Sequence, residues 1–181
     1  MKLFFITGNE HKSREAERVL KEYDVIIERK DLECEEIRAE SCDEIALSCL
    51  RMLRGRVNKP FFVEDSGLFI DALNGFPGTL SSWVFKKIGN EGVLRLMRGE
   101  RKRDAHFISS VAAWDGKKEK VFIGEAKGRI SNELRGKGGF GYDPIFIPEG
   151  SEETFGENPA NKLGCSHRTR AFEQLGKWLR R

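Results

Sequence analysis

The sequence predicts one mixed domain of the α/β or α+β class, and three observations support that prediction. The chain has 181 residues, a length typical of one domain. Short apolar runs alternate with stretches of helical periodicity, as in folds where helices cover a sheet. Asp115-Gly116 lies between two alternating runs and is a strong hairpin pattern, so the sheet is expected to be mixed.

Apolar periodicity places the elements of the first half. Apolar runs bounded by Gly, Asn, Asp or Pro indicate strands, and apolar residues three and four apart indicate helices. The predicted elements are strands at 2–7, 24–28 and 61–63 and helices at 11–22 and 42–53. Ser41, with Glu44 three residues later, has the pattern of a capping box. The third strand is expected to end in Glu64-Asp65-Ser66-Gly67, a sequence that also suits a turn.

The second half is interpreted in the same way. A turn region rich in Gly and Pro, residues 72–80, precedes two helical stretches that Gly89-Asn90 separates. The predicted elements are helices at 81–88, 91–98 and 167–179 and strands at 105–114, 119–127 and 144–148. A basic loop rich in glycine, residues 135–141, precedes the last strand.

Composition and charge exclude several classes of protein. Hydrophobic residues make up 39% of the chain, too much for a disordered protein. Lys and Arg number 32 against 29 Asp and Glu, an excess too small to indicate a nucleic-acid binder. No apolar run approaches the length of about 18 residues that spans a membrane, and the N-terminal run is too short for a signal peptide. We therefore expect a cytoplasmic protein with no membrane or nucleic-acid partner.

The cysteines predict neither a metal site nor a crosslink. Cys34, Cys42, Cys49 and Cys165 form no Cys-x-x-Cys pair, which argues against structural zinc. Cys42 and Cys49 are seven residues apart on one face of the predicted second helix, where a buried thiol is the usual finding. A cytoplasmic protein keeps its thiols reduced, so we expect no disulfide.

Two segments that follow predicted strands suit phosphate and metal binding. Thr7-Gly8-Asn9-Glu10-His11-Lys12 joins the first strand to the first helix, where backbone N–H groups and the helix N-terminus favour an anion. The alternative is an ordinary turn with a surface lysine. Glu64 and Asp65 end the third strand, where two carboxylates suit Mg²⁺. The alternative there is a turn in which the Asp caps a backbone N–H.

Two later segments suit a base and a phosphate. Gly138-Gly139-Phe140-Gly141-Tyr142-Asp143-Pro144 lets backbone approach a flat ligand that stacks on Phe140 or Tyr142. The alternative is a glycine turn with a core aromatic. Lys162 and Ser166-His167-Arg168 bring three potential cations to a helix start, and their alternative is helix capping with surface charges.

In their order along the chain, these segments resemble the inosine/xanthosine triphosphate pyrophosphatase family. The resemblance extends from Lys2 to Phe172. It implies one nucleotide pyrophosphatase domain over residues 1–181, built as a long mixed β-sheet with flanking helices and two lobes around a central nucleotide-binding cleft. It also implies a homodimer and Mg²⁺-dependent hydrolysis of ITP, dITP and XTP to the nucleoside monophosphate and pyrophosphate, which removes these nucleotides from the pool.

The resemblance also assigns roles by position. Asp65 would be the proton acceptor and, together with Glu36, a metal ligand. The matched substrate-binding residues are Thr7, Gly8, Asn9, Glu10, His11 and Lys12 for the triphosphate, Phe140, Gly141, Tyr142 and Asp143 for base and ribose, Lys162 for phosphate, and His167 and Arg168 for the base edge. Ser66 would also contact the substrate. We hypothesise that Asp65 deprotonates a water that attacks the α-phosphorus.

Two stretches depart from the family pattern. Leu47-Ser48-Cys49-Leu50-Arg51 stands where the family often has a lysine on the second helix. Leu80, Ser81 and Ser82 stand where a Tyr and a basic residue are common. That phosphate contact is therefore expected to be either missing or replaced by Lys86 or Lys87. Two other functions stay open: a Maf-like pyrophosphatase for pyrimidine or modified nucleotides, and a nucleotide-binding regulatory protein without catalysis.

Overall fold

A mixed seven-stranded sheet is the framework of this computed structural model, which describes residues 1–35 and 37–180. The strands are β1 (Lys2–Ile6), β2 (Ile26–Lys30), β3 (Phe61–Ile70), β4 (Pro77–Gly78), β5 (Asp104–Trp114), β6 (Glu119–Ile130) and β7 (Phe146–Pro148). Their order is β2-β1-β3-β5-β6-β7, with β4 paired on β3. β1 is parallel to β2 and β3, whereas the β3–β4 and β6–β7 pairs are antiparallel. The predicted mixed α/β fold is confirmed.

Five α-helices accompany these strands in the described part of the chain. They are α1 (Glu10–Lys21), α2 (Cys42–Leu53), α3 (Ser81–Leu96), α4 (Pro159–Cys165) and α5 (His167–Leu179). The predicted interruption of α3 is confirmed, because Gly89 has φ 58° and ψ −167°, a non-helical conformation that glycine adopts readily. The short helix α4 was not predicted, since seven residues are too few to show a helical period. None of the described helices is long and apolar enough to span a membrane.

The prediction that the third strand ends at residues 64–67 is wrong. β3 continues through these residues to Ile70, and β4 pairs with it in antiparallel register at Leu68 and Phe69. Gly67 allows this close approach: a Cβ there would lie 2.4 Å from the carbonyl oxygen of Gly78. The Asp-Ser-Gly sequence, which resembles a turn, is therefore compatible with an extended strand.

Two smaller predictions also need correction. Ser41 is the N-cap of α2, as expected, but its side chain makes no capping hydrogen bond, so the capping box does not form. Residues 143–145, partly assigned to the last strand, instead form a turn of 3₁₀-helix. Pro144 fixes φ near −65° and has no N–H to donate to a strand neighbour, which favours that turn.

The chain divides into two compact units, each with its own apolar core. The first unit comprises Met1–Asp65, Ser109–Gly124 and His167–Arg181, and the second comprises Ser66–Ile108 and Glu125–Ser166. In the first unit one cluster joins Phe5 and Phe62 to α1 and α5, and another joins Phe61 and Val63 to α2. The sheet of the first unit is therefore covered on both faces. The second unit has a single cluster, in which Phe146 contacts Phe107 and Phe155.

A disulfide between Cys34 and Cys49 contradicts the expectation of reduced cysteines. The two Cα atoms are 5.7 Å apart, within the range that a disulfide spans. The pair links the extended segment after β2 to the middle of α2, and its separation of 15 residues gave no recognisable motif. Cys42 is buried as a free thiol, and Cys165 is also free.

Reduction of this disulfide should lower the stability of the protein. A crosslink that closes a loop of about 15 residues contributes about 3 kcal/mol, largely by restricting the unfolded chain. Urea unfolding with and without dithiothreitol should show that loss in the wild type, whereas the Cys49→Ala variant should be equally stable in both buffers. The Cys165→Ala variant is the control and should respond to reductant as the wild type does. A wild type that is indifferent to dithiothreitol would contradict the prediction.

Candidate active site

The segment between β1 and α1 forms a tight turn stabilised by its own side chains. Asn9 is the N-cap of α1, and its Oδ1 accepts hydrogen bonds from the N–H groups of His11 (2.9 Å) and Lys12 (3.3 Å). The N–H of Asn9 in turn donates to Thr7 Oγ1 at 3.1 Å. The predicted helix start is confirmed, and the turn lies at the carboxyl end of β1, where open α/β sheets bind ligands.

Glu64 and Asp65 are adjacent on β3 but face opposite sides of the sheet in the first unit. Side chains alternate along a strand, so Glu64 shares a face with Phe62, which packs with α1 and α5. Asp65 shares the other face with Val63, which packs with α2. The two carboxylates therefore have different neighbours and cannot be treated as one acidic pair.

Glu64 lies at the centre of a buried charge network. Its side chain is fully buried, with Oε2 2.7 Å from Lys12 Nζ and Oε1 3.0 Å from Arg168 Nε. Ser109 Oγ donates to the same Oε1 at 2.7 Å. Arg168 also forms an ion pair with Glu15 through Nη1. Two cations and two carboxylates thus balance one another away from water, as buried charges require.

The network keeps Glu64 ionised. Burial alone would raise the pKa of its carboxyl, but the charges of Lys12 and Arg168, with the hydrogen bonds from Lys12 and Ser109, outweigh burial and hold that pKa far below its usual range. Burial would likewise lower the pKa of Arg168, and the charges of Glu64 and Glu15 raise it instead. Both oxygens of Glu64 are engaged by cations, so Glu64 is a poor candidate for a metal ligand.

Asp65 has a different environment from that of Glu64. It is half-buried on the α2 face, and the thiol of Cys42, in the first turn of α2, is hydrogen-bonded to it. Burial raises the pKa of that thiol, and the Asp65 charge raises it further. The second carboxylate assigned to the metal, Glu36, lies outside the described residues. Among the described residues no group of three His, Cys, Asp or Glu side chains could hold a metal ion.

In the second unit, Phe140 is held by a buried ion pair. Lys162 Nζ lies 2.8 Å from Asp143 Oδ2, and both side chains are buried. The same Oδ2 accepts a hydrogen bond from the N–H of Phe140 at 2.7 Å, and the ammonium lies 4.2 Å from the centroid of the Phe140 ring. Gly139 has φ 71°, and a Cβ there would lie 2.0 Å from Asp143, so this turn requires glycine.

The two aromatic side chains of this segment have different environments. Phe140 is half-exposed, whereas Tyr142 is buried in the apolar core of the second unit. The Tyr142 hydroxyl donates to the carbonyl of Ser81 at 2.9 Å, and the ring meets Phe85 edge to face. Phe140 is therefore the ring on which a base has surface to stack. For Tyr142 a substrate contact stays a prediction.

The C-terminal motif is divided between the two units. Lys162 belongs to the second unit, whereas His167 and Arg168 open α5 in the first unit and are both buried. Gly124 of β6 allows α5 to pack closely, because a Cβ at Gly124 would lie 2.0 Å from the carbonyl oxygen of His167. The position of Arg168 thus depends on a glycine that the sequence motifs did not include.

The positions that depart from the family pattern have local contacts or exposures of their own. Ser81 is buried, where its hydroxyl donates to the carbonyl of Gly78 and accepts from the N–H of Leu68, both at 2.7 Å. It stabilises the β3–β4 connection in place of any phosphate contact. Lys87 lies over the ring of Trp83, 5.7 Å from its centroid. Leu80 and Ser82 are exposed and Ser48 is half-buried.

A model of the Ham1 family matches residues 3–178 of the chain. The chain belongs to the Ham1 family. The dITP/XTP pyrophosphatase of Methanopyrus kandleri is 48% identical to this Ham1 chain, over 99% of the chain and 97% of the relative. The dITP/XTP pyrophosphatase of Thermococcus kodakarensis is 44% identical, over 99% of the chain and 98% of the relative.

Solved structures agree with the Ham1 fold. The Ham1 protein of Staphylococcus aureus superposes with a TM-score of 0.85 at 26% identity, covering 99% of this chain and 98% of that one. The nucleoside-triphosphatase or dITP/XTP pyrophosphatase of Mycobacterium abscessus gives 0.75 at 31% identity, covering 97% of each chain. The resemblance inferred from the sequence motifs is therefore confirmed.

Sequence reasoning missed four residues that organise the first unit of this Ham1 chain. Glu64 was considered only as a metal ligand, whereas Glu15, Ser109 and Cys42 were given no role at the site. Glu15 lies one turn after Lys12 on α1, so helical spacing could have placed it beside that lysine. No local pattern marks Ser109, which is 45 residues from Glu64 in sequence.

The Gly124→Ala substitution should displace the start of α5 and loosen the Glu64 network. The added methyl group would meet backbone rather than flexible side chains, and overpacking of this kind costs about 1–3 kcal/mol. Urea unfolding should detect that loss, and a crystal structure should show a longer Arg168–Glu64 distance. Gly55→Ala is the control, because a Cβ at Gly55 meets nothing within 4 Å. Equal stabilities of the two variants would contradict the role of Gly124.

Proposed function

We propose that this chain is a nucleoside triphosphate pyrophosphatase that converts ITP, dITP and XTP to the monophosphate and pyrophosphate. The observation that carries the proposal is that Lys12, a phosphate-type cation in the first turn of α1, contacts β3 at the residue just before Asp65. Lys12 Nζ lies 3.4 Å from the carbonyl oxygen of Glu64, which belongs to the peptide group that precedes Asp65. The names of the relatives, dITP/XTP pyrophosphatases at 44% and 48% identity over 99% of the chain, support the same reaction.

Asp65 is assigned the central chemical role. Its half-buried carboxylate lies on the opposite face of β3 from Glu64, and we assign it to accept a proton from the attacking water and to hold Mg²⁺ together with Glu36. When bound, Mg²⁺ would neutralise phosphate charge and polarise the phosphoryl oxygens. Lys12, whose side chain is 18% exposed, would contact the triphosphate, with the turn at 7–11 beside it, and would stabilise the leaving pyrophosphate.

The base-binding groups are assigned by the family resemblance. Phe140 would stack on the purine, and Ser66, Gly141, Asp143 and Lys162 would complete the substrate contacts. His167 and Arg168 would face the base edge, where hypoxanthine and xanthine present O6, an acceptor, and adenine presents an amino donor. A guanidinium donates five N–H groups and accepts none, so Arg168 would favour O6 and leave the adenine amino group without a partner.

Three further properties are part of the proposal. We infer a homodimer and a cytoplasmic location, where nucleotide pools are maintained, as the resemblance leads us to expect, even though the Cys34–Cys49 disulfide is unusual for that compartment. We expect no nucleic-acid partner, because the charges of Lys12, Arg168 and Lys162 are matched by carboxylates.

The Asp65→Asn variant should fold normally and lose pyrophosphate release from ITP. The amide has nearly the same shape but can neither accept the proton nor hold the metal as a carboxylate does, and loss of a general base alone typically costs 10²–10⁴-fold. Pyrophosphate release should be measured with Mg²⁺ and with EDTA, alongside thermal unfolding. Asp104→Asn, at an exposed position, is the matched control. Near-normal turnover by Asp65→Asn, or turnover in EDTA, would refute the assignment.

A panel of nucleotides tests the base preference and separates the competing functions. ITP, dITP and XTP should be hydrolysed with kcat/KM values about 10²–10⁴-fold above that of ATP, because a site built on buried polar contacts rejects a base that leaves them unpaired. Equal rates for ITP and ATP would refute the O6 contact. Preferential hydrolysis of CTP or UTP would favour the Maf-like alternative, and binding without pyrophosphate release would favour a regulatory protein.

A further inference from the structure

The Glu64 carboxylate spans two cations that have separate tasks in the proposed function. One oxygen, Oε2, is 2.7 Å from Lys12 Nζ, and the other, Oε1, is 3.0 Å from Arg168 Nε. Lys12 comes from α1 and Arg168 from α5, so the carboxylate on β3 links two helices that face the same side of the sheet. Each oxygen is committed to a different cation.

Glu64 makes more contacts than are needed to balance the charge of Arg168. Glu15 also pairs with Arg168, so Arg168 has a counter-ion without Glu64. Ser109 donates to Oε1 at 2.7 Å from a fully buried position and thereby fixes the orientation of the carboxylate. A buried ion pair adds little net stability compared with apolar packing, so a role in geometry is the better explanation for a three-way contact of this kind.

We propose that Glu64 is a positioning residue that holds the phosphate-binding lysine and the base-reading arginine at a fixed separation. The proposal rests on the proposed function, in which Lys12 contacts the triphosphate and Arg168 the base edge. Lys12 Nζ has three donors, and contacts with Oε2 and with the Glu64 carbonyl oxygen direct the third. The ammonium is thus oriented before a phosphate arrives, and the same carboxylate orients the guanidinium.

A purely electrostatic role makes the opposite prediction for phosphate binding. If Glu64 only lowered the positive charge of the site, a shorter residue of equal charge would leave anion affinity unchanged, and a neutral residue would raise it. If Glu64 positions Lys12, shortening the side chain by one methylene should weaken anion binding although no charge is lost. The Glu64→Asp substitution therefore separates position from charge.

The experiment compares Glu64→Asp with Glu15→Asp, which makes the same chemical change in a residue that pairs with Arg168. Calorimetry would measure the Kd of inorganic tripolyphosphate, a probe without a base. It would also give the ratio of the Kd values of AMP and IMP, in which the contribution of the shared phosphate to binding cancels. Thermal unfolding would confirm that each variant is folded. None of these measurements requires turnover.

Glu64→Asp should raise the Kd of tripolyphosphate about tenfold, because a lysine freed from its partner must be ordered again on binding. It should also lower the preference for IMP over AMP. Glu15→Asp should lower that preference and leave the Kd of tripolyphosphate unchanged. Glu64→Gln, if folded, should also weaken tripolyphosphate binding, despite the added net positive charge.

Three results would overturn the proposal. Unchanged or tighter binding of tripolyphosphate by Glu64→Asp would show that Glu64 acts by charge alone. Equal effects of Glu64→Asp and Glu15→Asp on both probes would show a general loosening of the first unit. Loss of tripolyphosphate affinity with an unchanged IMP preference would show that Glu64 does not orient Arg168. A wild type that binds both probes but releases no pyrophosphate from ITP refutes the proposed function and leaves the positioning role to be judged on the binding data.

Discussion

Successive side chains on a strand point to opposite faces of its sheet, and in β3 this alternation separates Glu64 from Asp65. Because both faces of the first unit are covered by helices, the two carboxylates enter different environments. Glu64 meets the cations of α1 and α5, whereas Asp65 meets the N-terminal turn of α2. The register of one strand therefore determines which carboxylate pairs with the cations of α1 and α5 and which one contacts α2.

Most of the fold could be predicted because it is encoded locally. Apolar periodicity placed β1, α1, α2 and the two halves of α3, and Gly89 marked the interruption of α3. The strand β3 was predicted too short, since its last part pairs with β4 at the close approach that Gly67 permits. The disulfide between Cys34 and Cys49 was missed for a related reason: the fold, rather than any motif, brings the two residues together.

Contacts between residues far apart in the sequence limit the prediction of the candidate site even more than that of the fold. The motifs identified Lys12, Asp65, Phe140 and Arg168 as individual residues with suitable chemistry. Their mutual arrangement depends on contacts between residues 52 and 104 positions apart, such as Lys12–Glu64 and Arg168–Glu64. A single sequence contains no local pattern that marks pairs so far apart along the chain. Glu64 was therefore interpreted from its neighbour Asp65 rather than from its contacts with Lys12 and Arg168.

The small net charge of the chain, +3, has a structural counterpart. Lys12 and Arg168 are balanced by Glu64 and Glu15, and Lys162 is balanced by Asp143. The cations assigned to substrate are therefore already neutralised by carboxylates of the protein. They offer a triphosphate oriented hydrogen-bond donors rather than an excess of positive charge. If Mg²⁺ binds at Asp65 as we propose, it would supply the positive charge that these paired cations no longer offer to a triphosphate, which gives the expected Mg²⁺ dependence an electrostatic reason.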